Sequence, residues 1–81
     1  MNKEEVRKQL NDIFANVLNR PGIELSDNMT TDNIDNWDSL TNMTIISDIE
    51  HRFNIHFKLR DIIRMKNVGG MIDAILKKTN E

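Results

Sequence analysis

Apolar residues return at steps of three and four in three separate stretches of this chain, and that spacing commits most of it to helices. In the first stretch Val6, Leu10, Ile13, Phe14, Val17 and Leu18 fall on one face, with Lys3, Glu4, Arg7, Lys8 and Asp12 on the other. Asn2 precedes it as a cap, Glu5 completes a capping-box pattern, and Pro21-Gly22 is expected to stop the helix. Leu40, Met43, Ile46, Ile49 and Phe53, widened by Ile45, make the stripe of a second helix that begins at Asp38 or Ser39. Asn67 caps a last helix, whose stripe is Val68, Met71, Ile72, Ile75 and Leu76.

Between the first two helices, residues 19–37 keep no period. Connections longer than about 12–15 residues are uncommon in small domains unless they pack or serve a function. Ile23, Leu25, Met29, Ile34 and Trp37 are scattered through this one, so it is expected to be ordered, plugging gaps between helices. Phe53 to Leu59 alternates apolar and polar residues, which is the period of a strand. A lone strand has no partner for its hydrogen bonds, and the only other candidate is the short stretch 23–25. An extended connector is therefore the reading, with a small α+β domain as its alternative. Asp61 to Met65 suffices for about one helical turn, too short to stand without packing. The fold class is all-α: a small bundle of three main helices plus one short helix, with a long ordered loop between the first and second. Residues 1–81 form a single domain.

Size and composition narrow the function. A chain of 81 residues is too small for a substrate cleft plus a separate cofactor domain. It has no cysteine, hence neither a disulfide framework nor a thiolate metal site. No apolar run approaches a membrane span, and Met1-Asn2-Lys3-Glu4-Glu5 is no signal peptide, so the expected location is the cytoplasm. The net charge of −2 is unevenly placed. Pro21 to Glu50 contains seven acids and no lysine or arginine. His51 to Lys66 carries Arg52, Lys58, Arg60, Arg64 and Lys66 against Asp61 alone. The acidic stretch disfavours a nucleic-acid partner, and no aromatic stacking platform accompanies the basic one. Asp32, Asp35 and Asp38 lack the alternate spacing and central glycine of a calcium loop, and His51 and His56 have no third zinc ligand in view. No metal is expected. Nor is a catalytic Ser-His-Asp set, since so small a bundle offers no oxyanion cleft.

Asp38-Ser39-Leu40 is the feature that points to chemistry. Ser39 stands at a helix N-terminus, where unpaired backbone N–H groups and the helix dipole favour negative charge. A phosphate ester on its hydroxyl is expected to be stabilised there, on an accessible corner. Asp-Ser pairs are also ordinary helix openers, so the surroundings decide the matter.

Those surroundings resemble the acyl carrier protein family, which includes peptidyl and aminoacyl carriers. The likeness spans nearly the whole chain in helix order and loop placement, and is most specific from Ile34 to Phe57. Ile34-Asp35-Asn36-Trp37-Asp38-Ser39-Leu40 is similar to the family's Asp-Ser-Leu helix opening. Ile49-Glu50-His51-Arg52-Phe53-Asn54-Ile55 resembles its acidic-aromatic helix end and connector, and Asn67-Val68-Gly69-Gly70-Met71-Ile72 the opening of its last helix. The resemblance implies that Ser39 is esterified by 4′-phosphopantetheine taken from coenzyme A. The terminal thiol of that arm would carry an acyl or aminoacyl group as a thioester, which explains how a chain without cysteine serves thioester chemistry. It implies a monomeric carrier that is not itself an enzyme, with a phosphopantetheinyl transferase and loading and acceptor enzymes as partners. Asp38, Leu40, Trp37, Asp48 and Arg60 are the residues expected to meet them.

The chain departs from the family's fatty-acid members in charge. Where those carry acids after the serine, Thr41, Asn42 and Thr44 are neutral, and the short-helix region holds Lys58, Arg60, Arg64 and Lys66. A dedicated pathway is therefore expected over general fatty-acid synthesis, which stays as the alternative. An unmodified helical interaction module is the alternative of a different class. Gly70 stands where the family has an acid, which removes a capping-box partner from the last helix.

Overall fold

The computed structural model describes residues 1–80. Four helices follow in order: α1 (Lys3–Leu18), α2 (Ser39–Phe53), α3 (Leu59–Arg64) and α4 (Val68–Thr79). No strand occurs among the described residues; Phe53 ends α2, Leu59 opens α3, and only 54–58 is a connector, so the all-helical reading holds over the α+β one. The helices close on one core. Val6, Leu10, Ile13 and Phe14 of α1 meet Ile45, Ile46 and Ile49 of α2 and Val68, Met71, Ile72 and Ile75 of α4, all buried.

Each helix boundary has a local cause. The Asn2 side chain accepts from the Glu5 N–H at 2.9 Å, which starts α1 with one arm of the expected capping box. The helix stops at Asn19, ahead of Pro21-Gly22, because Asn19 turns left-handed with φ 53° and its N–H bonds back to Ala15. Asn54 ends α2 in the same way with φ 55°. Asparagine enters this region more readily than other residues with a side chain, so each serves where glycine usually does. α3 begins at Leu59, earlier than the sequence spacing suggested, since the Asp61 carboxylate accepts from the Lys58 N–H at 2.8 Å.

The long loop is fastened to two helices. Asp27 makes the central knot: its carboxylate takes Lys3 at 2.8 Å and Arg7 at 2.6 Å, both on α1. Its carbonyl accepts from the Gly69 N–H at 2.8 Å, and the Met29 carbonyl accepts from Val68 at 3.0 Å. Two donors at the start of α4, which no intrahelical carbonyl reaches, are satisfied by the loop in this way. The approach explains Gly69: a Cβ there would lie 3.1 Å from the Asp27 carbonyl oxygen. Asn11 adds a bond to the Leu25 N–H at 2.9 Å. Leu25, Ile34 and Trp37 are buried, as an ordered loop requires.

Two expected core positions are corrected. Leu40 and Met43 fit the periodic stripe of α2, yet both are exposed. Full burial along α2 begins only at Ile45; in the turns before it Thr41 and Asn42 are half-buried and take the inner side, while Leu40 and Met43 face solvent. α3 buries no residue fully; it is held by partly buried Ile62, with Met65 just beyond its end, and by an Asp61–Lys78 ion pair at 3.5 Å.

The burial pattern yields a stability prediction. Ile49→Ala is expected to cost about 2–5 kcal/mol, the range for a fully buried large-to-small change. Leu40→Ala is expected to stay within about 0.5 kcal/mol, as for a surface position. Denaturant melts of the two variants decide the matter, and equal losses would place Leu40 in the core after all.

Candidate functional site

Ser39 is the first residue of α2, and the residues around it are tied down while it is not. Trp37, before the helix, is 6% exposed and packs edge-on against Phe14, with ring centroids 4.9 Å apart. Its indole N–H donates to the Asn42 side-chain oxygen at 3.0 Å. Asp38 caps the helix, one carboxylate oxygen accepting from Leu40 N–H at 2.9 Å and Thr41 N–H at 3.0 Å. Thr41 returns the favour: its hydroxyl accepts from Asp38 N–H at 2.9 Å and donates to the Asn36 carbonyl at 2.7 Å. This is a complete capping box. Ser39 between them is exposed, and among the described residues no hydrogen bond engages its hydroxyl.

The cap has an electrostatic consequence. The Asp38 carboxyl is held below its ordinary pKa, chiefly by the Thr41 N–H; partial burial opposes the shift and the Leu40 N–H adds to it. Those two N–H groups are therefore filled by Asp38. The expectation that a phosphate on Ser39 rests on free helix-end donors is narrowed on this point. What remains for it there is the N–H of Ser39 itself, the helix dipole and any cation nearby.

One cation is near. An open groove of about 450 Å³ runs beside Ser39, lined by Thr31, Trp37, Asp38, Asn42, Met65 and Lys66. Its wall is mixed: the Trp37 ring and Met65 are apolar, while Thr31 and Asn42 are polar and Lys66 carries charge. Asp38, Ser39 and Trp37 are thus brought together as expected, although a buried Trp37 leaves a partner little of its ring to touch. Leu40 is exposed beside them. Asp48 and Arg60 are exposed but do not line this groove. Asp48 lies roughly 13 Å farther along α2, by the rise of a helix, in a separate groove with Ile13, Asn16, His51 and Arg52. His51 is roughly 18 Å along the same helix, far from a base's reach of Ser39.

The structure gives some residues a role that the sequence reading did not assign them. Thr41 and Asn42 were read as lost acids; each in fact holds a neighbour of Ser39 in place. The capping-box spacing of Asp38 and Thr41 was a legible signal for the first. Asn42 and Lys66 stood out in the sequence only for their charge and Met65 not at all; that they share a groove with Ser39 follows only from the fold.

The residues around Ser39 suit a long flexible ester: its hydroxyl is free of hydrogen bonds, Lys66 would supply positive charge to a phosphate in the groove, and the groove's wall is part apolar and part polar. The family model for a phosphopantetheine attachment site matches residues 8–75. Among solved structures, the holo acyl carrier protein from Geobacter metallireducens, determined by solution NMR, is similar at 34% identity and a TM-score of 0.84. The match covers 90% of this chain and 84% of that one. No curated protein gives a match.

The carboxylates make stability depend on acid. Asp38, Asp27 and Asp61 all have lowered pKa values, through the Thr41 N–H, the Lys3 hydrogen bond and the Lys58 N–H respectively. The unfolded chain therefore binds more protons in the acid range, and stability falls as pH drops. Their contribution is complete above the ordinary carboxyl pKa near ~4 and is lost as pH falls through the lower folded values. Asp38→Ala is expected to be less stable than the parent at pH 7, with the gap closing toward pH ~2. Melts across that range check it; a gap independent of pH would deny the cap its charge.

Proposed function

The chain belongs to the acyl carrier protein family, and on that footing we propose that it holds an acyl or aminoacyl group on a 4′-phosphopantetheine arm attached to Ser39. The prosthetic group is the family's, and the observation that supports this attachment point is the hydroxyl of Ser39. It is exposed and unbonded beside the groove, between a capping Asp38 and an exposed Leu40. When bound, the arm supplies the terminal thiol on which cargo is carried as a thioester, chemistry that no side chain of a cysteine-free chain offers.

The residues of the chain position and present. Asp38 and Thr41 fix the first turn of α2, so that the serine oxygen leaves the bundle in one direction. Trp37 locks the preceding backbone to α1 through Phe14. Lys66 offsets phosphate charge, and Met65, with the small accessible part of the Trp37 ring, gives the arm an apolar wall. A phosphopantetheinyl transferase joins the Ser39 oxygen to the phosphorus of the pantetheine half of coenzyme A. The nucleotide half departs, and the hydroxyl proton goes to the transferase. The chain supplies no catalytic group of its own to later steps, which belong to loading and acceptor enzymes.

We read residues 1–81 as one monomeric carrier domain working in the cytoplasm. No helix among the described residues is long and apolar enough to cross a membrane. Charge supports a dedicated pathway over general fatty-acid synthesis: Thr44 and Ser47 are exposed and neutral on α2, while Arg60 and Arg64 are exposed on α3.

Incubation with coenzyme A and a broad-specificity phosphopantetheinyl transferase is expected to add the mass of one phosphopantetheine, mapped to the peptide containing Ser39. Ser39→Ala is expected to abolish the gain. Modification of that variant would move the site, and refusal by several transferases would favour an unmodified interaction module.

The charge argument makes its own prediction. Acyl loading of the pantetheinylated chain by general fatty-acid synthesis enzymes is expected to be slow. Thr44→Glu and Ser47→Glu combined with Arg60→Glu and Arg64→Glu are expected to speed it, most at low salt. Thr41 and Asn42 are left alone because both carry structural bonds. Parent rates equal to those of a fatty-acid carrier, unmoved by the changes, would contradict the dedicated pathway.

A further inference from the structure

The Trp37 indole decides which way the Asn42 side chain is turned. An indole N–H only donates, so the atom it meets at 3.0 Å is the Asn42 Oδ1, and the amide is fixed with its NH2 on the other side. Among the described residues no acceptor takes that NH2, yet no buried side-chain donor is left without a partner. The NH2 therefore opens to solvent. It opens beside Ser39: both residues line the same groove, and a step of three along a helix brings their Cβ atoms to roughly 5–6 Å.

Charge gives that donor a task. Lys66 and Asp38 are the charged residues that line the groove. The Asp38 carboxyl is held below its ordinary pKa, chiefly by the Thr41 N–H, so it is anionic at neutral pH and offsets Lys66. A phosphate ester on Ser39 brings a further anion to a groove whose two charges already cancel. The N–H groups of Leu40 and Thr41 are taken by Asp38. Besides the Ser39 N–H, the neutral donors left are the Thr31 hydroxyl, on the loop, and the Asn42 NH2, on the same helix as Ser39 and fixed in direction.

We infer that Asn42 is a positioning residue for the arm: its NH2 donates to a phosphate oxygen of the ester on Ser39, and Trp37 holds the amide in the orientation this requires. The inference rests on the carrier reading of Ser39 and gives Asn42 a role beyond its bond to Trp37. Water solvates a phosphate from any side, whereas a fixed donor also sets the direction in which the ester leaves the bundle. Lys66 adds charge without setting that direction, since an ammonium on a flexible stem acts as a point charge. One side chain thus joins the mount to the arm, Oδ1 securing the tryptophan and Nδ2 the phosphate.

Asn42→Asp separates the two ends of the side chain. It keeps an oxygen for the indole and replaces the NH2 by an acceptor, while Asn42→Leu removes both. The isotopically labelled parent and variants are compared before and after phosphopantetheine transfer, with mass as the check of loading on Ser39. In the parent, transfer is expected to shift the Asn42 NH2 resonances and to slow their exchange with water about tenfold, the effect of one charge-assisted hydrogen bond. Phosphorus relaxation is expected to show a more mobile ester in loaded Asn42→Asp than in the loaded parent, although the Trp37 indole N–H of that variant stays protected from exchange. In Asn42→Leu both the indole protection and the ordered ester are expected to be lost. NH2 resonances unmoved by transfer, or a phosphate as mobile in the parent as in Asn42→Asp, would overturn the inference. Should Asn42→Asp fail to fold, the NH2 resonances of the parent decide alone. A chain that gains no mass overturns the reading of Ser39 itself; a chain loaded on Ser39 with an unmoved NH2 overturns only the role of Asn42.

Discussion

The site depends on what holds Trp37 and Asp38. One is sunk against Phe14 with its indole bonded to Asn42, and the other is locked to Thr41 in a reciprocal cap. With both neighbours committed, Ser39 has neither a burial site nor a bonding partner within the bundle. It points outward because everything around it is used. A serine at the start of a helix is ordinary; a serine exposed between a buried tryptophan and a satisfied cap is a fixed point from which a long arm can be presented.

That fixed point is built from the far end of the molecule as well. The loop that delivers Trp37 is knotted at Asp27 to α1 through Lys3 and Arg7 and to α4 through Gly69. The loop also satisfies donors at the start of α4, so loop order and helix start are coupled. Most of the core is a three-helix affair of α1, α2 and α4, and α3 borders it without a fully buried residue. The chain thus joins a firmly bonded first turn of α2 at Ser39 to a short helix that carries Arg60, Arg64 and exposed Leu59 and Ile63.

Much of this was legible in the sequence where one period or one cap decides structure. The stripes of α1 and α4, the caps at Asn2, Asp38 and Asn67, and the ordered loop all followed from local rules. Period alone misplaced Leu40 and Met43: it marks which residues share a face, not how far along the helix that face is covered. The end of α1 was set by Asn19 in place of Pro21-Gly22, because asparagine accepted the left-handed turn first. The meeting of Met65 and Lys66 with Ser39 depends on how the connector returns the chain, and no local signal encodes it. The first half of α2 is neutral as far as Ser47, but Thr41 and Asn42 there carry structural bonds, leaving Thr44 and Ser47 as the open positions.

If Ser39 carries the arm from a mount that modification does not disturb, amide and indole spectra of the labelled chain before and after phosphopantetheine transfer will differ only locally. Shifts are expected to be limited to the start of α2 and to Thr31, Met65 and Lys66, with the Trp37 indole N–H still protected from exchange by Asn42. Changes spread through α1 and α4, or a Trp37 indole released to solvent, would contradict it.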